Sequence, residues 1–122
     1  MDCNLELVKL ASYFVGVHET GGNNRGPEVQ MFQCAVAGSR AEGQSWCMDF
    51  VEWCVKRVSA VYGVKTNLPE SQACLDVWRK ASADLRFDKP APGLIVIYQH
   101  AGTFNGHTGV VESVISDDEM IT

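Results

Sequence analysis

The chain has 122 residues, a length typical of one domain, so we expect a single domain over residues 1–122. Its hydrophobic content of 46% and charged content of 20% exclude a disordered or collagen-like chain. The net charge of −5, with no basic cluster larger than Lys56-Arg57, argues against nucleic acid as a partner, and no apolar run is long enough to predict a membrane span.

The first part of the chain has the pattern of two helices separated by a loop. An apolar stripe over residues 5–15 predicts a first helix that stops at Gly16. Residues 18–26 are polar and glycine-rich, which is typical of a loop. Pro27 fits the first position of a second helix, which ends at Gly38.

The third predicted helix is the most strongly periodic segment, and Ser45 fits its N-cap. Its apolar positions recur at helical spacing: Cys47, Phe50, Val51, Cys54, Val55 and Val58. Its charged residues occupy the opposite side: Asp49, Glu52, Lys56 and Arg57. A shorter fourth helix is predicted over about residues 71–83, with four residues directed inward: Cys74, Val77, Trp78 and Ala81.

After Pro92 the pattern changes from helix to strand. Residues 94–98 form a short β-branched run that predicts a buried strand, and residues 107–115 predict its antiparallel partner. Residues 116–119 predict a turn, and residues 120–122 resemble the opening of a further strand that the chain does not finish. Helices followed by a small antiparallel sheet predict an α+β fold.

The cysteines and the amino terminus indicate synthesis in a reducing compartment. Five cysteines without a Cys-x-x-Cys pair argue against a disulfide framework and a zinc ribbon: Cys3, Cys34, Cys47, Cys54 and Cys74. The first residues lack the basic and apolar segments of a secretory signal, so we expect synthesis in the cytoplasm without a signal peptide.

Cys47 is the first candidate for chemistry, because it lies near the first turn of the third predicted helix. Unpaired N–H groups and the helix dipole lower the pKa of a cysteine there, and the same amides serve as oxyanion donors. The alternative is that Cys47 is a small buried apolar residue continuing the stripe of Cys54 and Val58. Position and periodicity leave both interpretations open. The other four cysteines are expected to pack in the interior, since none begins a predicted helix.

A thiolate nucleophile needs a base, and His107 is the best candidate. It opens a predicted strand between glycines that permit close approach of a substrate or another backbone. His100 and His18 are rival bases, and a structural role for His107 stays open. The cysteines and histidines lack the short spacings of zinc ligands, so no metal or other cofactor is expected.

The polar loop over residues 18–26 has two interpretations. It is either a plain connector or one wall of a substrate cleft, with Glu19, Asn23 and Asn24 supplying polar contacts. The three tryptophans are expected to lie mostly in the core, although Trp46, beside Cys47, can also line a cleft.

Together these segments resemble a known family. GQSWCMDFVEWC (residues 43–54) resembles the Trp-Cys-x-x-Phe-Val-x-Trp signature of CHAP domains, the cysteine, histidine-dependent amidohydrolases/peptidases. GHTGVVESV (residues 106–114) is similar to their histidine strand, and PGLIVIY (residues 92–98) to the strand before it, with Leu94 in place of an Asp. Residues 16–29 resemble the leading segment of a subgroup in phage lysins and bacterial wall hydrolases.

The resemblance implies a papain-like arrangement, with a cysteine at a helix N-terminus facing a histidine on an antiparallel sheet. Cys47 is then the nucleophile and His107 the general base. The implied reaction is hydrolysis of a peptidoglycan amide, either the sugar–peptide bond or a bond within the stem or cross-bridge peptide, through a thioester. The protein is then expected to act on the bacterial cell wall after release or export.

The third catalytic residue of this family, a Glu, Asp or Asn that orients the histidine, lies on the strand after the histidine strand. The sequence ends where that strand begins, so we expect a truncated or naturally short form, with an edge strand open to homodimer formation. Glu112, five residues from His107, is expected on the other face of the strand. Two other functions stay open: an impaired module that binds wall peptides or a protein partner, and a papain-like acyltransferase or deamidase.

Overall fold

The structure is a computed structural model that describes residues 3–17, 25–37, 46–99, 106–116 and 119–122. These residues contain four α-helices: α1 (Cys3–Tyr13), α2 (Pro27–Ala37), α3 (Cys47–Tyr62) and α4 (Cys74–Lys80). Four strands follow them: β1 (Ile95–Gln99), β2 (Gly106–Val110), β3 (Ser113–Ser116) and β4 (Glu119–Ile121). The predicted α+β fold is confirmed. None of the described helices is long and apolar enough to cross a membrane.

The strands form two small antiparallel sheets, β1 with β2 and β3 with β4. The prediction of one strand over residues 107–115 is wrong, because the alternation breaks where Val110 and Val111 are both buried. The Val111 N–H still donates to Leu94 on the β1 side, whereas the Glu112 N–H donates to Ile121 of β4. The chain therefore changes its pairing partner between these two residues.

The core is built around α3, which packs against α1, α2 and β2. Its apolar side joins α1, α4 and β2 in one cluster of buried residues: Leu7, Met48, Val51, Cys54, Val58, Cys74, Val77 and Val110. α3 ends at Gly63, whose left-handed φ of 66° closes the helix without the strain that a side chain brings. α4 is shorter than predicted, and Trp78, predicted to face inward, is 44% exposed under the guanidinium of Arg86.

A second, aromatic cluster fixes α2 against the start of α3. Phe32 of α2 is fully buried and its ring lies 4.9 Å from Phe50 and 5.6 Å from Trp53. Phe14, just after α1, adds a third edge contact at 5.2 Å. Edge-to-face pairs at these distances stabilise beyond their buried area, by roughly 0.5–1.5 kcal/mol each. The cluster therefore determines where α3 begins.

Candidate active site

Cys47 is the first residue of α3 and lies half-buried at the edge of a cleft. Trp46 occupies the N-cap position, and its ring stacks on Phe32 at 5.8 Å with an interplanar angle of 10°. The Phe50 N–H donates to the Trp46 carbonyl at 2.9 Å, which is the first bond of the helix. The predicted cap, Ser45, lies outside the described residues. The buried Phe32 ring therefore anchors the turn that carries the thiol.

The cleft has a volume of about 600 Å³ and is lined by two unlike sets of residues. α1 and the turn after it supply an almost entirely apolar surface: Val8, Ala11, Ser12, Phe14, Val15 and Val17. β2 and the chain beyond it supply a polar surface that includes His107, Gly109, Glu112 and Thr122. Trp46, Cys47 and Phe50 complete the lining. The cleft can therefore accept a chain with both apolar and polar groups.

His107 reaches the cleft because β2 lies very close to β1. A Cβ added at Gly106 comes to within 2.6 Å of the Tyr98 carbonyl oxygen, so the strands keep this spacing only with glycine there. His107 is paired across the strands with Tyr98, and the two rings stack at 6.5 Å with an interplanar angle of 13°. The tight pairing and the stacked ring orient the imidazole next to Cys47.

The pKa of the Cys47 thiol lies well below its usual range. The largest cause is a hydrogen bond with Cys74, whose Sγ lies 3.6 Å from the Sγ of Cys47, and burial opposes it. A hydrogen bond and the charge of His107 lower the pKa further, as does the N–H of Met48 in the first turn of the helix. These partners favour the thiolate, which is the nucleophilic form of Cys47, and His107 lines the same cleft.

Comparison with known protein families gives a match over the segment that carries Cys47 and His107. The CHAP domain family matches residues 39–122, which is more than half of the chain and includes both Cys47 and His107. The chain belongs to the CHAP domain family. No curated protein and no solved structure gives a significant match.

CHAP domains are generally hydrolases, and membership of the family indicates peptidoglycan-related amidase or peptidase activity. The matched segment contains α3, α4 and all four strands of this CHAP domain. α1 and α2 lie before it, although α1 and the turn after it supply the apolar lining of the cleft.

The structure places some of the five cysteines in environments that differ from those the sequence predicts. Cys54 is buried as predicted, and burial raises its pKa to about 12. Cys34 is exposed, which corrects the expectation that it packs in the interior. Cys3 and Cys74 both begin helices, and Cys74 touches the nucleophile. No sequence signal points to Cys74, because α4 is brought to α3 only by the tertiary fold.

Two carboxyl groups on α3, for which the sequence predicts no chemical role, are buried. Asp49 is fully buried and accepts a hydrogen bond from the Gln72 amide at 3.2 Å, and desolvation raises its pKa to about 6. Glu52 is 2% exposed, and desolvation raises its pKa to about 8 against the charge of Lys56. The segment around Gln72 therefore covers the side of α3 that carries Asp49 and Glu52.

Several predicted site residues fall outside the residues that the structure describes: Glu19, Asn23, Asn24, His18 and His100. Trp46 does line the cleft. Glu112, expected on the other face of the strand, also lines the cleft that His107 lines. The break in alternation after Val110 explains the difference. Among the described residues, no three His, Cys, Asp or Glu side chains gather as metal ligands do.

Proposed function

We propose that this CHAP domain is a cysteine peptidoglycan hydrolase that cleaves an amide bond through a thioester intermediate. The observation that carries the proposal is the Cys47 thiol, half-buried at the first turn of α3, which lines one cleft with His107 and whose pKa His107 helps to lower. A charged thiolate beside an imidazole is the arrangement that nucleophilic amide cleavage needs. The bond is either the N-acetylmuramoyl-L-alanine amide or a peptide bond of the stem or cross-bridge.

The reaction starts with attack of the Cys47 thiolate on the amide carbonyl carbon. The negative charge that develops on the carbonyl oxygen is stabilised by the N–H of Cys47, which has no partner within the helix at this position. His107 gives a proton to the leaving amine, the C–N bond breaks, and a thioester remains on Cys47. His107 then takes a proton from water, which attacks the thioester and releases the carboxylic acid and the thiolate.

The lining of the cleft supports a peptide as the substrate. Phe14, Val15 and Val17 give apolar contacts to short side chains and to methyl groups, whereas Glu112 and Thr122 offer polar contacts near His107. Val15 is 84% exposed, so this apolar surface is accessible to a polymer as large as peptidoglycan. The proposed place of action is the bacterial wall, after release or export of the protein.

The test is cleavage of purified peptidoglycan by the full chain, followed by labelling of newly formed amino groups. We expect Cys47→Ala to lower their release by at least about 10⁴-fold, because the covalent step is lost. Cys34→Ala removes an exposed thiol and is the matched control, with unchanged activity. A new amino-terminal alanine identifies the sugar–peptide bond, and any other new terminus identifies an endopeptidase.

Two results count against the proposal. If the wild-type chain releases no amino groups from peptidoglycan, the hydrolase proposal is wrong. If Cys47→Ala releases them as fast as Cys34→Ala does, Cys47 is not the nucleophile. Transfer of the acyl group to an added amine in place of water favours the acyltransferase alternative.

A further inference from the structure

Cys74, at the start of α4, lies against the thiol of the proposed nucleophile, with 3.6 Å between the two Sγ atoms. We propose that Cys74 is a positioning residue that donates its S–H hydrogen to the Sγ of Cys47 and so holds Cys47 in its charged, nucleophilic form. The inference rests on the proposed function in one respect, that Cys47 is the residue which attacks the substrate.

The surroundings of the two thiols decide which of them keeps the hydrogen. Two neighbouring thiols do not both ionise readily, because like charges repel at this distance. Cys74 is only 6% exposed, whereas Cys47 is half-buried and borders the open cleft. Cys47 also has His107 and the N–H of Met48 as partners for a negative charge. The charge therefore belongs on Cys47 and the hydrogen on Cys74.

Hydrogen bonds to an ionised acceptor are stronger than those between neutral groups. The bond from Cys74 is the largest single cause that lowers the pKa of Cys47, ahead of His107, and the same bond with burial raises the pKa of Cys74. Among the described residues, the other titratable groups near Cys47 or in its cleft are His107 from β2, Glu112 after β2 and Asp49 from α3 itself. Among the described cleft residues, α1 adds only uncharged side chains.

The core sets the position of Cys74. Val77, one turn along α4, is 2% exposed, and both residues belong to the cluster that includes Val51 and Cys54. α4 also packs against β1 and β2, the sheet that carries His107. The same helix is therefore fixed relative to both reacting groups. A role in packing alone predicts that any side chain of similar size at position 74 leaves the titration of Cys47 unchanged.

The test is the pH dependence of the rate at which iodoacetamide alkylates Cys47. A phosphine reductant keeps both thiols reduced, and peptide mass spectrometry measures how much Cys47 is alkylated. In Cys74→Ala we expect the midpoint to rise by about 1 pH unit or more, with a rate at pH 6 about tenfold lower. In Cys74→Ser the hydroxyl is again a donor, and we expect at least half of that change to be reversed. Cys54→Ala removes an equally buried thiol of the same cluster and is the matched control, with an unchanged midpoint.

A midpoint in Cys74→Ala equal to that of Cys54→Ala overturns the inference, as does a serine variant that behaves like the alanine variant. If Cys74→Ala does not fold, Cys74→Val fills the same space without a donor and gives the same comparison with Cys74→Ser. Alkylation needs no peptidoglycan, so the proposed hydrolase function can fail while this titration behaves as expected. The reverse result, cleavage of peptidoglycan with no change in midpoint, removes only the role of Cys74.

Discussion

Cys47 and Cys54 lie two turns apart on the same helix, yet the pKa values of their thiols move in opposite directions. Burial alone raises the pKa of Cys54 to about 12. Cys47 is also partly desolvated, but its pKa falls below the usual value of 9.0 because Cys74, His107 and the Met48 N–H all favour the charged form. The comparison teaches that partners for the negative charge at the first turn of α3, the Met48 N–H among them, lower the pKa of a cysteine that burial alone would raise.

Two carboxyl groups lie on α3 between Cys47 and Cys54, and their pKa values are also shifted. Asp49 is close to the reactive turn and has one hydrogen-bond donor, Gln72, so desolvation raises its pKa only to about 6. Glu52, one turn further on, is raised to about 8 although Lys56 is near. At both carboxyl groups desolvation outweighs the favourable partners, which at Glu52 are the charge of Lys56 and the N–H of Ser71. The predictions below test the contrast between Cys47 and the three groups further along α3.

After the loss of the nucleophile in Cys47→Ala, the largest expected effect is the loss of the imidazole. We expect His107→Ala to lower amide hydrolysis by about 10³-fold, because both the general acid and one partner of the thiolate are removed. The pH midpoint for alkylation of Cys47 should rise at the same time, toward the higher pKa of Cys54. Hydrolysis that survives in His107→Ala shows that another group is the base.

The difference in reactivity between Cys47 and Cys54 can be measured directly in the wild-type chain. At pH 7, we expect iodoacetamide to modify Cys47 at least about 100 times faster than Cys54, after allowing for the lower intrinsic nucleophilicity of a thiolate of low pKa. Peptide mass spectrometry over a time course gives both rates from one sample. Similar rates at the two positions contradict the opposite pKa shifts of the two thiols.

Glu52 gives a smaller effect, on stability. Its pKa is raised from 4.5 to about 8, so its contribution to folding is full below pH 4.5 and is lost as the pH rises through 8. The Glu52→Gln side chain cannot ionise, and we expect this variant to be more stable than wild type by about 2 kcal/mol at pH 9, with no such gain near pH 4.5. Urea denaturation at both pH values measures the difference. A constant difference across this range shows that Glu52 does not titrate as described.

The smallest effect is expected from Cys54 itself. Removal of its buried sulfur in Cys54→Ala should lower the free energy of unfolding by about 1 kcal/mol and leave hydrolysis unchanged. Urea denaturation and the amino-group assay measure the two quantities separately. Loss of activity without loss of stability would give Cys54 a chemical role that its surroundings do not support.

Sequence reasoning predicted β1 and the start of α3 to within a residue or two, because their apolar patterns are regular. It missed the division of residues 107–115 into β2 and β3. Val110 and Val111 are both buried there, and a local pattern of alternation cannot represent two consecutive inward residues. The same break moves Glu112 into the cleft.

For the site, Cys47 and His107 could be selected from the sequence because a helix start and a strand between glycines are local features. Cys74 and Asp49 could not, since their importance depends on which segment covers α3. Residues 70–74 come from a part of the chain more than twenty residues away from Asp49, and only folding places Gln72 against Asp49 and Cys74 against Cys47.

The sequence by itself determined that this is an α+β chain with a candidate thiol at the start of its most periodic helix, a candidate imidazole on a strand and the motifs of the CHAP family. The tertiary structure decided which ionisable groups lose water and which gain a donor, and therefore the direction in which each pKa moves. The physical reason is that ionisation depends on distances of a few ångströms between groups far apart in the chain, and no local pattern contains those distances.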